Sequence, residues 1–291
     1  MACVRRRTVL TILFRIGTVL ALLLVLSPAV WLLAGVISKA APHWQWSVLW
    51  TNLNGENGGL LGPIVGTLVL MGGVLLIAGS IGIFAGIHLA ELARPRRAGG
   101  AGGTWLRMAS DVLSGFPSIV LGYVGYVALV VGLHWNFSLL PALLVLSVMV
   151  VPYIAKATET ALRQVPTTYR EGAEALGMSM GYSMRKVVLK TAAPGIVTGL
   201  LIALAIAGGE TAPLLFTAEF SSTVWTGAFI HAHGFGYLTY LVYQFWSYPS
   251  KHANYLSYDA GLILIVMVLL LLISARIIVA RTQRYSESRG R

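Results

Sequence analysis

"EGAEALGMSMGYSMRKVVLKTAAPGI", residues Glu171–Ile196, gathers Glu171, Glu174, Arg185, Lys186 and Lys190 between long apolar runs. The whole chain has 291 residues, 57% hydrophobic and only 11% charged. A soluble domain carries about 25% charged residues, so the stretch interrupts a chain composed for a membrane. The net charge is +11. The cations sit in short blocks between apolar runs, which suits control of membrane topology rather than binding of nucleic acid. Cys3 is the single cysteine, so no internal disulfide can form.

A helical span needs about 20 apolar residues. Six segments qualify: Gly17–Val36, Ile64–Ile87, Pro117–Leu133, Leu139–Ala155, Ile196–Thr217 and Ala260–Ala280. The third and fourth are short, and a tight His134–Ser138 turn makes them a hairpin. Arg5, Arg6 and Arg7 precede the first, as in a signal peptide, but its apolar run exceeds the usual 7–15 residues or so and no clear A-x-A site follows; it reads as a retained helix. Lys and Arg crowd the N-terminal tail, the 94–107 and 156–190 loops and the C-terminal end, while the alternate loops hold only Lys39 and Lys251. The positive-inside rule then puts both termini and the opening stretch in the cytoplasm. Trp44, Trp46, Trp50, Trp225 and Trp246 belong to the opposite, outer loops, where rings suit the membrane–water interface.

The opening stretch is part of the longest inner loop, Lys156–Ala193. Thr168-Tyr169-Arg170-Glu171 has the form of a T-x-x-E capping box, so a short helix is expected to start there and to stop near Gly177 as C′ residue. A second helix is expected over Ser179–Lys190, with Met180, Met184, Val187 and Val188 on one face. Pro194 is expected to open the fifth span. The residues alone allow two readings: a pad that docks a partner, or amphipathic helices lying on lipid headgroups.

Glu210 is read as the only acid well inside a span, in "AGGETAP", where Gly208, Gly209 and Pro213 predict a kinked or broken helix. An intramembrane acid costs about 2.5–3.5 kcal/mol on insertion scales. Glu210 is therefore a candidate gate or ion-pair partner; the alternative is a structural carboxyl bonded to a neighbouring helix or to Thr211. In "SGFPS", Ser114 or Ser118 could present a hydroxyl beside Pro117 or simply cap the third span. Tyr123 and Tyr126 either face a path or pack against the second span. Gly79, Gly82 and Gly86 are spaced for close helix packing. His231-x-His233 is too small a set for a metal site, and none is expected. Asn136-Phe137-Ser138 matches a glycosylation sequon but lies in a turn too tight to use it.

Glu171-Gly172-Ala173, Gly177 and Val187-x-Leu189 resemble the EAA loop of ATP-binding-cassette importer permeases. "PSIVLGY" (Pro117–Tyr123), "YREGAEALG", "APGIVTGLLIALA" and "GETAPLLFTA" (Gly209–Ala218), in this order over about Gly62–Arg281, resemble the PstA-type permeases of phosphate importers. The resemblance implies an all-α integral membrane protein with six transmembrane helices, N-in/C-in, of the type I importer permease fold, in a bacterial cytoplasmic (inner) membrane. The expected organisation is a first helix and outer loop over 1–57, a permease core over 58–281 containing the coupling loop 156–193, and a cytoplasmic tail over 282–291. The EAA loop would be the coupling helix, with Arg170, Glu171, Gly172, Ala173 and Gly177 docking the ATPase. Glu210, Thr211, Ser118 and Pro117 would belong to the translocation path or its gate. The implied partners are a PstC-type second permease, a PstB-type ATPase dimer and a PstS-type extracytoplasmic phosphate-binding protein. The chain would hold no cofactor and catalyse nothing itself; ATP and Mg would serve the ATPase. It has no Walker A pattern.

Gly172 replaces the family's usual Ala, Lys190 its usual Pro, and Ile206 an Arg common four residues before the Glu. The last departure leaves no cation deep in any span. Three readings stay open: a cation from the partner permease, an anion held by backbone N–H groups and hydroxyls, or a different substrate. The rival functions are a permease for another oxyanion or phosphonate, and an ion-gradient-driven transporter or channel.

Overall fold

The computed structural model describes residues 2–92, 100–222, 227, 229 and 234–287, and divides into units 1–45 and 46–291. The first unit is one helix, α1 (Ala2–Ala40). Leu20, Leu24, Val25 and Trp31 are exposed along it. A helix apolar all round requires apolar surroundings, as a membrane provides. Pro28 lies within it without ending it.

In the second unit a small hairpin, β1 (Leu53–Asn54) with β2 (Asn57–Gly58), precedes the helices. There follow α2 (Leu61–Ile87), α3 (Gly100–Gly115), α4 (Ser118–Gly125) and α5 (Leu139–Arg163). Next come α6 (Thr167–Ala175), α7 (Met180–Ser183), α8 (Leu189–Gly209) and α9 (Ala212–Thr217). Last are α10 (Leu238–Gln244) and α11 (Lys251–Glu287). π-helical turns extend α2 through His88–Leu92 and α4 through Tyr126–Gly132; a third, Met184–Val188, joins α7 to α8. Among the described residues, five helices are long and apolar enough to cross a membrane, and a sixth span results if α3 and α4 count as one.

α5 is the central helix: 67% of its apolar window is buried, against 6% for α11. Leu143, Leu146, Met149 and Ile154 of α5 pack with Leu70, Met71 and Val74 of α2 and with Ala203, Leu204 and Ala207 of α8. Among apolar helices in lipid, close backbone approach replaces the hydrophobic effect as the attraction. Gly82 and Gly86 supply it as expected: a Cβ at Gly82 would lie 2.6 Å from Ile154 Cβ, and one at Gly86 2.6 Å from the Ala155 carbonyl oxygen. Gly195 does the same for α8, where a Cβ would come 2.8 Å from Ala161 Cβ.

Four expectations need correction, and one element was not foreseen: the third span runs as a helix from its N-cap Pro117 as expected, but α3 precedes it and meets it at a 100° bend. Pro117 lacks an N–H to continue α3 and takes an extended ψ of 130°. The loop set at Lys156 begins only after Arg163, since α5 continues through the charged residues. There, Arg163 pairs with Glu159 one turn back at 2.7 Å. The capping box does not form: α6 starts at Thr167 with Pro166 as N-cap, which places Thr168 inside the helix. The second pad helix does not stop at Lys190, and Pro194 does not open a new one. α7 passes through the π turn into α8, giving an apolar stretch over Met180–Gly209, with Pro194 inside. Lys190 is exposed, so its carbonyl can lose the partner that Pro194 cannot supply. Finally, acids other than Glu210 lie in the apolar helices: Glu91, Glu159 and Asp259 fall within them and are shielded, while Glu210 stands just past the end of the Met180–Gly209 stretch.

Candidate functional site

Two regions carry the candidate residues. The first is the α6 pad. Gly177 adopts φ +72°, a left-handed conformation that glycine takes without a Cβ penalty. Its N–H donates to the Glu174 carbonyl at 2.9 Å, and the Met178 N–H to that of Ala173 at 3.0 Å. Those two bonds are a Schellman closure, so Gly177 is the expected C′ residue. Glu171, Gly172 and Gly177 are exposed, whereas Ala173 is buried behind them. Tyr169, Leu176, Met180 and Tyr182 are exposed large side chains around the same turn. Sequence reasoning passed over Tyr169, Leu176 and Tyr182; four large apolar or amphipathic groups so close to a polar turn were the available signal. Of the expected second-helix face, Met184 and Val188 pack inward and Met180 does not.

Arg170, expected with the docking residues, does not share the exposed face of Glu171, Gly172 and Gly177 but points inward. Its Nη1 lies 2.6 Å from Glu91 Oε1, with the two side chains only 14% and 9% exposed. Its Nη2 donates to the Leu162 carbonyl at 3.0 Å, one of the last carbonyls of α5 and therefore without a helical partner. A second arginine acts nearby: Arg107 of α3 donates to Glu159 of α5 and, at 3.0 Å, to the Leu89 carbonyl. Glu91 and Leu89 both belong to the π turn that ends α2. Glu91 was missed in the sequence; a lone acid closing an apolar run, in "HLAEL", was the clue. Lys156–Asp111, at 3.3 Å with both groups mostly exposed, contributes little.

The second region is the break between α8 and α9. α8 ends at Gly209, and Glu210 is extended at φ −75°, ψ 134°, as the glycines and Pro213 led one to expect. Glu210's carbonyl, freed from the helix ladder, accepts from Thr239 Oγ1 of α10 at 3.1 Å. Among the described residues no ion pair involves the Glu210 carboxylate. Thr211 is the N-cap of α9 without a side-chain cap bond. Ile206 is half-buried against the core formed by α2, α5 and α8.

Pro117 and Ser118 start α4, and neither Ser114 nor Ser118 caps it; the Ser114 hydroxyl donates back to the Asp111 carbonyl. α4 nevertheless meets the break. A Cβ at Gly122 would lie 2.7 Å from Pro213 Cα, so "PSIVLGY" and "GETAPLLFTA" touch backbone to backbone. Tyr123 sets its ring edge-on to Phe216 at 6.1 Å, and Tyr126 stacks on Phe137. Beyond the break, Phe220 stacks on Tyr240 at 4.2 Å and meets Tyr237 edge-on. Burial, and next the neighbouring Tyr240, pushes the Tyr237 hydroxyl above its ordinary pKa, so it stays neutral. His231 and His233 lie outside the described residues. Among the described residues no cluster of three or more His, Cys, Asp or Glu could hold a metal.

A helical core with breaks at α3–α4 and α8–α9, and a capped pad between its fourth and fifth spans, has the build of a multi-pass membrane protein. The sequence model of the binding-protein-dependent transport system inner membrane component family matches residues 78–284, and the chain belongs to that family. It is 53% identical over 273 residues to "Phosphate transport system permease protein PstA 2" of Mycobacterium tuberculosis, covering 94% of this chain and 89% of the relative. It is 34% identical to "Phosphate transport system permease protein PstA" of Xylella fastidiosa, covering 78% and 77%. Among solved structures it resembles a bacterial ABC transporter involved in alginate import (TM-score 0.62, 14% identity, 95% and 96% covered). It also resembles the inward-facing MetNI methionine ABC transporter (TM-score 0.57, 22% identity, 76% and 94% covered). These two likenesses establish the importer permease fold.

Proposed function

We propose that this chain is a permease subunit of an ATP-driven phosphate importer in a bacterial cytoplasmic membrane. The observation that carries the reading is 53% identity across 94% of the chain to relatives named as phosphate permeases. In this reading the chain forms half of a translocation path with a PstC-type permease, receives phosphate from a PstS-type binding protein and docks a PstB-type ATPase dimer. ATP and Mg act in that ATPase; this chain holds no cofactor and makes or breaks no covalent bond. Glu171, Gly172 and Gly177 present the docking face, which the exposed Leu176 and Tyr169 support, and Ala173 seats it from behind. A helix end entering a cleft needs a small backbone profile, which Gly172 and Gly177 provide.

Glu210 and Thr211, with Pro117 and Ser118 on α4, form the gate. Their backbones are linked through Gly122 and Pro213, so a shift of α9 moves α4. A bare carboxylate repels an anion, which makes Glu210 a gating group rather than a ligand. Because Ile206 supplies no cation, the partner permease provides the positive charge. The test is uptake of labelled phosphate by cells with and without this chain, with phosphonate and other oxyanions as competitors. Loss of uptake on deletion, competed best by phosphate, is expected. Preferential competition by another oxyanion would reassign the substrate, and uptake that follows an ion gradient without ATP would overturn the class.

A further inference from the structure

We propose that Arg170 and Glu91 form a positioning joint that passes displacement of the pad helix α6 to the end of α2. The inference rests on the importer reading, since it supposes that an ATPase moves α6.

The pad is poorly held by burial. α6 has nine residues and one buried side chain, Ala173. A helix that short is marginal alone, and an alanine buries little area. The chain ties α6 directly to α5 through Gln164–Pro166 and to α7 through Leu176–Ser179. α2 has no such covalent route, although it packs on both α5 and α8. Arg170 supplies a non-covalent one: its guanidinium meets Glu91 at 2.6 Å with one nitrogen and the Leu162 carbonyl at 3.0 Å with another. One guanidinium thus bridges α6 to the ends of α2 and α5, by ion-pair contact through one nitrogen and a hydrogen bond through another, a span that a single ammonium nitrogen lacks.

The far end of the joint is braced. Glu91 lies in the π turn His88–Leu92, and Leu89 of that turn gives its carbonyl to Arg107, which also grips Glu159 of α5. The turn is therefore held from α3 and from α6. Separating Arg170 from Glu91 would pull a shielded guanidinium off its counter-charge, so α6 and the end of α2 move together.

The test uses the assembled transporter in proteoliposomes, with phosphate uptake and ATP hydrolysis measured together. The variants are Arg170→Lys, Glu91→Gln and the exchange Arg170→Glu with Glu91→Arg. In the single variants the ATPase still co-purifies and hydrolyses ATP, while phosphate moved per ATP falls at least about tenfold, a modest loss for a broken buried pair. The exchange recovers part of that loss. An unchanged ratio in both single variants overturns the joint, as does a loss that merely tracks missing ATPase. Hydrogen exchange on the purified chain gives a readout independent of substrate. In Arg170→Lys, faster exchange of Thr167–Ala175 together with His88–Leu92 supports the joint, and faster exchange of α6 alone overturns it. If the wild-type assembly hydrolyses ATP but moves no phosphate, the substrate reading fails while the exchange result still decides the joint.

Discussion

Gly177 and Gly122 are glycines for different reasons. At Gly177 the backbone demands a positive φ, while a Cβ would meet nothing within 4 Å. At Gly122 the backbone is ordinary helix and the obstacle is Pro213. Gly177→Ala should cost only the left-handed strain, roughly 1–2 kcal/mol, and retain the ATPase. Gly177→Trp adds bulk at the docking face; it should insert in the membrane normally yet fail to co-purify the ATPase. Retained ATPase in Gly177→Trp would remove the docking role from this residue. Gly122→Ala should destabilise by about 1–3 kcal/mol, because the atom in its way is backbone. A lowered thermal midpoint in detergent, beside an unchanged Gly115→Ala, checks it; a Cβ at Gly115 meets nothing within 4 Å. Gly177 was legible because a helix stop is local information. The inward turn of Arg170 was not, since its direction depends on Glu91, a residue distant in the chain.

The break between α8 and α9 is the element on which the proposed gate rests. Glycines and a proline around Glu210 made the break readable, because they weaken any helix. Its partner, the bend between α3 and α4, was missed. "SGFPS" was read for its hydroxyls, yet the missing N–H of Pro117 has the larger effect. Pro194 was misread in the opposite sense: the helix runs on through the proline, because the carbonyl that loses its partner belongs to the exposed Lys190. Glu210→Gln keeps shape and removes charge. It should abolish phosphate uptake while the subunits still assemble, since among the described residues no ion pair depends on that carboxylate. Normal uptake by the variant would make Glu210 a structural residue.

For the whole molecule, helix count follows from hydropathy, while sidedness is an expectation drawn from where Lys and Arg cluster. Helix packing was legible only in part: the glycines of α2 announced close contact, but not that α5 would be the central helix. Sidedness has a built-in probe, since Cys3 is the only cysteine. A membrane-impermeant maleimide should label Cys3 only after permeabilisation. Trp46→Cys, exposed in the loop after α1, should react in intact cells. Labelling of Cys3 in intact cells would reverse the topology.

The π turn at Met184–Val188 makes α7 and α8 one continuous element from the pad to the Glu210 break. Thirty residues of helix span about 45 Å. A rigid rod of that length acts as a lever: a tilt of about 5° at its foot swings its tip by about 4 Å, more than a water molecule's width. In the reading proposed above, the stiffness of that rod, its short widened turn included, sets how far the Glu210 break moves when the pad does.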